Sequence, residues 1–340
     1  MTEIAQLLPP QEERPLVTFA LFAYNQEKYI REAVEGAFSQ TYEPLEIIIS
    51  DDCSTDKTFE IISSLRSEYA GPHRVVIRKN IHNMGIGSHL NQILGEANGE
   101  LIVLAAGDDI SIAERIESIV TLWLSANKRY DSIWSAVSLI DQHGREIGRQ
   151  SRGPGLDSMP DQVMNLVPNL LGCSHATTKR LFRQFGNLNE GIVYEDRALG
   201  FRSLISGGHG YIDDPLVKYR IHDGSISHQF RYHSKHASAK LQLEKYRLHL
   251  GRVEAVLDQF WSDYLRFTWS SYPASSLIDI KSAIDNKKSV INAEILLNSM
   301  RLIDRVKGYM LLNSIVRGSF RKRVRNTLTL LNPLLPFFLK

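Results

Sequence analysis

An open, mostly parallel α/β sheet flanked by helices is the fold class this sequence predicts, and three observations predict it. Two unbroken apolar runs, Val17–Ala23 and Leu101–Ala106, read as strands covered on both faces. Strand-like and helix-like stretches alternate over about 110 residues, the pattern of βαβ units. The presumptive strands end in polar residues on the same side: Tyr24 and Asn25, then Asp51 and Asp52, then Asp108 and Asp109.

Taken in order, the run 17–23 is followed by Ile30, Ala33, Val34, Ala37 and Phe38 at helical spacing. Residues 45–49 form a short buried strand that stops at Ser50, Asp51 and Asp52. Ser54 to Asp56 supply capping side chains for a helix whose Phe59, Ile62, Leu65 and Tyr69 share one face. A fourth strand covers 74–78, and Leu90, Ile93, Leu94 and Ala97 mark a third helix. After the run 101–106, Ser111 and Glu114 form a capping box for a helix carrying Ile116, Ile119, Val120 and Trp123. Residues 132–140 read as a strand with a turn at 141–144, and the Gly-, Pro- and Ser-rich stretch 148–160 as a loop long enough to be a mobile lid. A helix over 193–206 is stopped by Gly207 and Gly208, and two short strands follow around 211–212 and 217–221. A boundary falls near 230, beyond which Leu241, Tyr246, Leu248, Val253, Leu257 and Trp261 continue in a helical pattern. There is no internal repeat.

Composition narrows the class. The 340 residues are 43% hydrophobic and 23% charged, as in an ordinary globular protein, and the net charge of +2 implies no bulk attraction to nucleic acid. Two cysteines, Cys53 and Cys173, exclude a disulfide scaffold and a Cys-rich metal centre. Residues 1–14 have neither the basic start nor the apolar core of a signal peptide, and no run of about 18 apolar residues could span a membrane. A cytoplasmic chain is expected.

Adjacent carboxylates at the exit of a buried strand are costly unless something positive meets them. In parallel sheets, ligands bind in the crevice outside the strands' carboxyl ends. A site is therefore the better reading of the three polar tips, against solvated turns and helix caps. Neither G-x-G-x-x-G nor a P-loop follows the first strand, so a nucleotide would be held otherwise, by Tyr24 stacking on a base and Asp52 accepting from a base or ribose donor. For Tyr24 alone, an aromatic closing the sheet edge explains the residue equally well.

The stretch V-T-F-A-L-F-A-Y-N-Q-E-K-Y-I at 17–30 continues through S-Q-T-Y-E-P-L-E-I-I-I-S-D-D-C-S-T-D at 39–56. N-M-G at 83–85, A-A-G-D-D at 105–109, E-D at 195–196 and Y-R-I-H-D-G-S-I-S at 219–227 follow. This ordered set resembles the family 2 glycosyltransferases of the GT-A fold. The resemblance implies a Rossmann-like domain over 15–229, between an N-terminal tail at 1–14 and a C-terminal helical, basic amphipathic region at 230–340. It further implies transfer of a sugar, with inversion, from a nucleotide-diphosphate donor to a glycan or lipid-linked hydroxyl, using Mn²⁺ or Mg²⁺. Tyr24, Asn25, Asp52 and Asn83 match donor-holding positions. Asp108, which also faces the donor, matches the metal-binding carboxylate of the family's D-x-D motif; Asp109 stands beside it, and His222 matches a histidine that completes the metal site in some members. The chain departs from the pattern at Ala106, where the motif's first carboxylate would stand. Asp196 matches the catalytic base, with Glu195 beside it.

The chemistry needs such groups. An attacking sugar hydroxyl has a high pKa and requires a carboxylate to take its proton. Asp196 lies where a helix begins, and the positive end of the helix dipole is expected to keep it ionised. Helix capping alone would also explain Glu195 and Asp196. Residues 301–340 hold nine Lys/Arg and one acid, Asp304, interleaved with apolar residues. That pattern suits an anionic membrane surface and predicts a peripheral protein on the inner face of the cell membrane. The family resemblance implies a part in cell-surface polysaccharide synthesis. An end helix with a basic outer face is the plainer account of the same pattern. A nucleotidyltransferase and a non-catalytic nucleotide-sugar-binding scaffold are the rival readings. The first lacks its Gly-rich basic phosphate loop, and the second is favoured by Ala106 only.

Overall fold

The computed structural model of the chain describes residues 8–151, 159–166, 171–225, 239–267 and 274–297. The chain divides into two compact units, Met1–His222 with Ser262–Trp269, and Asp223–Trp261 with Ser270–Lys340.

The first unit opens with β1 (Val17–Ala23), α1 (Ile30–Phe38), β2 (Leu45–Asp51), α2 (Thr58–Glu68), β3 (Arg74–Lys79), α3 (Ile86–Glu96) and β4 (Leu101–Ala106). It continues with β5 (Ile110–Ser111), α4 (Arg115–Ser125), β6 (Ser132–Ile140), β7 (Glu146–Gln150), α5 (Met159–Met164), β8 (Ala176–Thr178), α6 (Lys179–Phe185), α7 (Glu195–Ile205) and β9 (His209–Arg220). These strands make one nine-stranded sheet in the order β3-β2-β1-β4-β8-β6-β9-β5, with β7 on the flank of β6. The four strands β3, β2, β1 and β4 run parallel. Val17, Phe19, Leu21, Ile47, Ile49, Leu101 and Val103 pack with Ile30, Val34, Ile116 and Val120 in one buried core. Each such side chain stabilises the fold by about 1.5–3 kcal/mol relative to exposure, which is why these runs form the sheet centre.

Register matters most for function. Ala23 of β1 pairs with Asp51 of β2, and Phe22 with Ala106 of β4. The three polar tips therefore leave the sheet side by side, at one level.

Beyond β4 the sheet is mixed. The three-residue strand β8 runs antiparallel to both β4 and β6, and is too short to show a period in the sequence. The two short strands expected around 211–212 and 217–221 are one strand, β9, whose register against β6 jumps from Ile212 to Pro215 to Val217. Asp213, Asp214 and Pro215 look like a break but form an irregularity inside a continuous ladder. The expected capping box is absent: Ser111 lies in β5, α4 has no side-chain cap, and Ser111 Oγ instead accepts from Arg115 Nη1 at 2.9 Å. Of the loop expected over 148–160, residues 148–150 belong to β7 and 152–158 lie outside the described residues.

A fully buried ion pair ties α7 to the segment 262–269: Arg202 Nε meets Asp263 Oδ2 at 2.8 Å. Asp263 stands on a long helix, α8 (Ala239–Arg266), whose larger part belongs to the second unit together with α9 (Ala274–Leu297). The basic segment 301–340 lies outside the described residues, and no described helix is long and apolar enough to cross a membrane.

Candidate active site

At the tips of β1 and β2 the backbone is held in conformations that place polar groups outward. Asn25 adopts φ +52°; its N–H donates to Ser54 Oγ at 2.8 Å, and its Oδ1 accepts from Thr55 N at 2.9 Å. Asp52 is buried and accepts three hydrogen bonds. Oδ1 accepts from Asn80 Nδ2 at 2.7 Å and Met84 N at 3.0 Å, and Oδ2 from Gly85 N at 3.0 Å. Asn83 Oδ1 also takes the Gly85 N–H, at 2.9 Å, and Gly85 sits at φ +74°, a conformation that favours glycine. Asp52 thus fixes the 83–85 loop, while Tyr24 stands 46% exposed at the end of β1.

At the end of β4, Gly107 N donates to Phe22 O at 2.8 Å. A Cβ at Gly107 would meet the Gln26 side chain and Ile30 Cδ1, both able to shift, and would lie 3.2 Å from Ala23 Cβ of β1, so glycine eases the close approach of the turn. Asp108 emerges next, and its Oδ2 lies 3.0 Å from Nε2 of His222, just past β9. Asp109 turns inward: it is buried, and its Oδ1 accepts from Arg220 N at 2.8 Å. Burial, then the charge of Asp108, pushes the Asp109 carboxyl well above its ordinary range. The two neighbours therefore do different work, and Asp108 is the one that meets His222. Ala106 contributes only a methyl group at the end of β4.

The Asp108 and His222 side chains fit a divalent cation. Here they hydrogen-bond to each other at 3.0 Å; a carboxylate oxygen and an imidazole nitrogen on adjoining turns are donors that an ion such as Mn²⁺ could take in place of that bond. Among the described residues no cluster of three or more His, Cys, Asp or Glu could hold a metal, so the protein offers two donors here and the remaining positions would fall to other ligands.

A second acidic pair opens α7. Glu195 and Asp196 are half-buried in its first turn. Burial, then the Asp196 charge, pushes Glu195 up to about 8. Burial also raises Asp196, but the Arg197 charge and the Arg197 N–H, which donates to Asp196 Oδ1 at 2.8 Å, oppose the rise. The helix N-terminus does not by itself keep Asp196 at an ordinary carboxylate value, because burial outweighs it. Both carboxyls are thus raised by burial, and only Asp196 has a neighbouring cation and backbone N–H that favour its ionised form.

One tight turn lies between the two acidic pairs. The 3-10 turn Gly172–Ser174 puts Gly172 against α7, where a Cβ would lie 3.3 Å from Glu195 Oε1 and 3.5 Å from Asp196 Cβ. Its neighbour Cys173 faces the other way: burial, then Asp109, pushes its thiol up. Buried Arg115 holds the arrangement, donating through Nη2 to Leu104 O at 2.8 Å and Cys173 O at 3.1 Å.

Glu195 carries a pH prediction. The folded chain holds its proton more tightly than the unfolded chain, whose value is 4.5, so its stabilisation is complete below about pH 4.5 and is lost as pH rises through about 8. Between about pH 5 and about pH 8 the melting temperature of Glu195→Gln should fall less than that of the parent. Parallel melting curves across that range would contradict this.

Sequence reasoning passed over Arg115, Arg220 and the turn at 172–174. Arg115 did leave a signal. It stands four residues before Ile119, on the apolar face of α4, where a charge is out of place. Arg220 left none, since alternation along a strand does not distinguish a buried arginine from an exposed one.

Comparison with known proteins adds to this geometry. The family model described as Glycosyl transferase family 2 matches residues 18–205. An uncharacterized glycosyltransferase of Rickettsia typhi is 26% identical over 256 residues, covering 74% of this chain and 72% of its own. The S. aureus TarS structure in complex with UDP-GlcNAc superposes with a TM-score of 0.53 at 17% identity, over 88% of this chain and 90% of that one. A mannosyltransferase from Pyrobaculum calidifontis, in complex with GDP-Man and Mn²⁺, superposes at 0.52 and 15% identity, over 97% of this chain and 85% of that one.

Proposed function

The chain belongs to glycosyl transferase family 2 and has the GT-A fold, and from that premise we propose that it transfers a sugar, with inversion, from a nucleoside-diphosphate donor to a hydroxyl of a glycan or lipid-linked acceptor. The observation that carries this reading is the Asp108–His222 pair, 3.0 Å apart, with the 172–174 turn lying against Glu195 and Asp196 at Gly172 and within reach of the Asp109 and Asp108 charges at Cys173. The nucleotide-sugars bound by the two structural relatives support the donor class.

The residues divide the work. Tyr24, Asn25 and the loop fixed by Asp52 and Asn83 receive the nucleoside. Asp108 and His222 would hold a divalent cation, Mn²⁺ or Mg²⁺, whose charge offsets that developing on the departing diphosphate. Asp196 accepts the proton of the acceptor hydroxyl as its oxygen attacks the anomeric carbon. Burial and the Asp196 charge raise the Glu195 carboxyl, which disfavours a second negative charge beside the base. One displacement inverts the anomeric centre and needs no enzymic nucleophile.

A thermal-shift screen of nucleotide-sugars with and without Mn²⁺ tests this reading. A donor at a hundredfold its dissociation constant stabilises a protein by about 2.7 kcal/mol, a shift of several degrees. At least one nucleotide-sugar should give such a shift, larger with Mn²⁺. No shift with any donor would contradict this reading and the nucleotide-sugar-binding scaffold alike, leaving the nucleotidyltransferase; a shift without turnover of donor in the presence of acceptor would favour the scaffold.

The basic residues of 301–340, interleaved with apolar ones, support a site of action on the inner face of the cell membrane, where a lipid-linked acceptor for cell-surface polysaccharide would be met. Removing 317–340 takes away six of the nine Lys/Arg. Each contributes about 1 kcal/mol at an anionic surface, so flotation with anionic liposomes should be lost while donor binding persists. Equal flotation of both forms would mean that the segment packs on the protein instead.

A further inference from the structure

Two donor atoms from separate parts of the chain can hold an ion well only if both are fixed. Asp108 comes from the turn after β4, and His222 from the segment after β9. Their shared support is Arg220, whose guanidinium is 1% exposed and satisfied by several elements. Nε donates to Asp108 O at 2.9 Å, holding the peptide that carries the carboxylate. Nη2 donates to Glu32 Oε2 at 3.0 Å, and Nη1 reaches Asp141 O at 3.4 Å. The guanidinium carbon stands 4.8 Å from the centre of the Tyr29 ring, and that ring lies 4.7 Å from the His222 ring, tilted by 49°.

We propose that Arg220, Tyr29 and Glu32 are positioning residues that set the Asp108–His222 spacing, with the Tyr29 ring as the wall that aims His222 Nε2. This rests on the cation reading of that pair given above. Glu32 orients the guanidinium through a charge-assisted hydrogen bond, and the guanidinium holds both the Asp108 peptide and the face of Tyr29. Tyr29 then limits rotation of the imidazole. The ring of Tyr29, and not its hydroxyl, makes both contacts, so phenylalanine should serve in its place and leucine should not.

The test is direct Mn²⁺ binding to the whole chain, read from the electron-paramagnetic signal of free Mn²⁺, with UDP and separately with GDP present. Groups that support metal ligands typically change affinity 10–100-fold when altered, and Tyr29→Leu should bind Mn²⁺ about tenfold more weakly or worse, with Tyr29→Phe within about threefold of the parent. Arg220→Lys should also bind more weakly, because an ammonium cannot hold Asp108 O, Glu32 and the Tyr29 face together. A purely structural role for Tyr29 would lower the melting temperature and leave Mn²⁺ affinity unmoved. That result, with Tyr29→Leu folded and binding like the parent, would overturn the inference alone. Should Tyr29→Leu fail to fold, Glu32→Gln replaces it, since the Glu32 side chain is 46% exposed. Severalfold weaker Mn²⁺ binding is expected there, and unchanged binding overturns the inference. A parent that binds no Mn²⁺ with either nucleotide overturns the cation reading itself, and this inference with it.

Discussion

Asp196→Asn should lower kcat by about a hundredfold to ten-thousandfold while leaving the fold and the donor site intact, the usual loss on removing a general base. The geometry explains why this carboxyl and not its neighbour. Arg197 N donates to Asp196 Oδ1 at 2.8 Å and the Arg197 charge favours the ionised form, whereas burial and the Asp196 charge push Glu195 up to about 8. The loss should fall on kcat, because the proton moves in the transition state and not on donor binding. Asparagine matches the shape of aspartate and can still accept the Arg197 N–H, so the start of α7 is preserved. Near-normal kcat in Asp196→Asn would contradict the assignment. A dead Glu195→Gln beside an active Asp196→Asn would move the base one residue earlier.

Asp108→Asn or Asp108→Ala should abolish transfer and weaken metal-dependent donor binding. A charged ligand to the cation stabilises the leaving group by several kcal/mol, which corresponds to several orders of magnitude in rate. Asparagine keeps the size of the side chain and its contact with His222 but not the charge, so the variant separates packing from coordination. His222→Ala should raise the cation requirement less, since an imidazole brings no negative charge. Full activity in Asp108→Asn, or parent activity unaffected by EDTA, would contradict the role of this residue.

Where apolar residues are continuous, the sequence was enough to locate the sheet centre. The runs that became β1, β2 and β4 bury both faces, and their parallel register brings Tyr24, Asp52 and Asp108 out at one edge. The juxtaposition of Asp108 with His222 could not be read from periodicity, because 113 residues lie between them; it entered only through the family resemblance. Asp52 shows another limit. Its carboxylate accepts from Asn80, Met84 and Gly85, a local structural duty that residue type alone does not reveal. Arg220 is the plainest omission. A buried guanidinium is stable there because Asp108 O and Glu32 satisfy it, and those partners come from elements distant in sequence. Likewise β8 is three residues long, and the irregularity at 213–215 imitates a strand end.

The proposed site has a donor-and-cation half, built on Asp108 and His222, and a proton-accepting half, built on Asp196. Calorimetric titration of one nucleotide-sugar, in the presence of Mn²⁺, into the parent, Asp108→Asn and Asp196→Asn tests that division most directly. Binding should be lost or strongly weakened in Asp108→Asn, and should stay within a few-fold of the parent in Asp196→Asn. Equal binding by all three folded proteins, or loss of binding in Asp196→Asn alone, would contradict it.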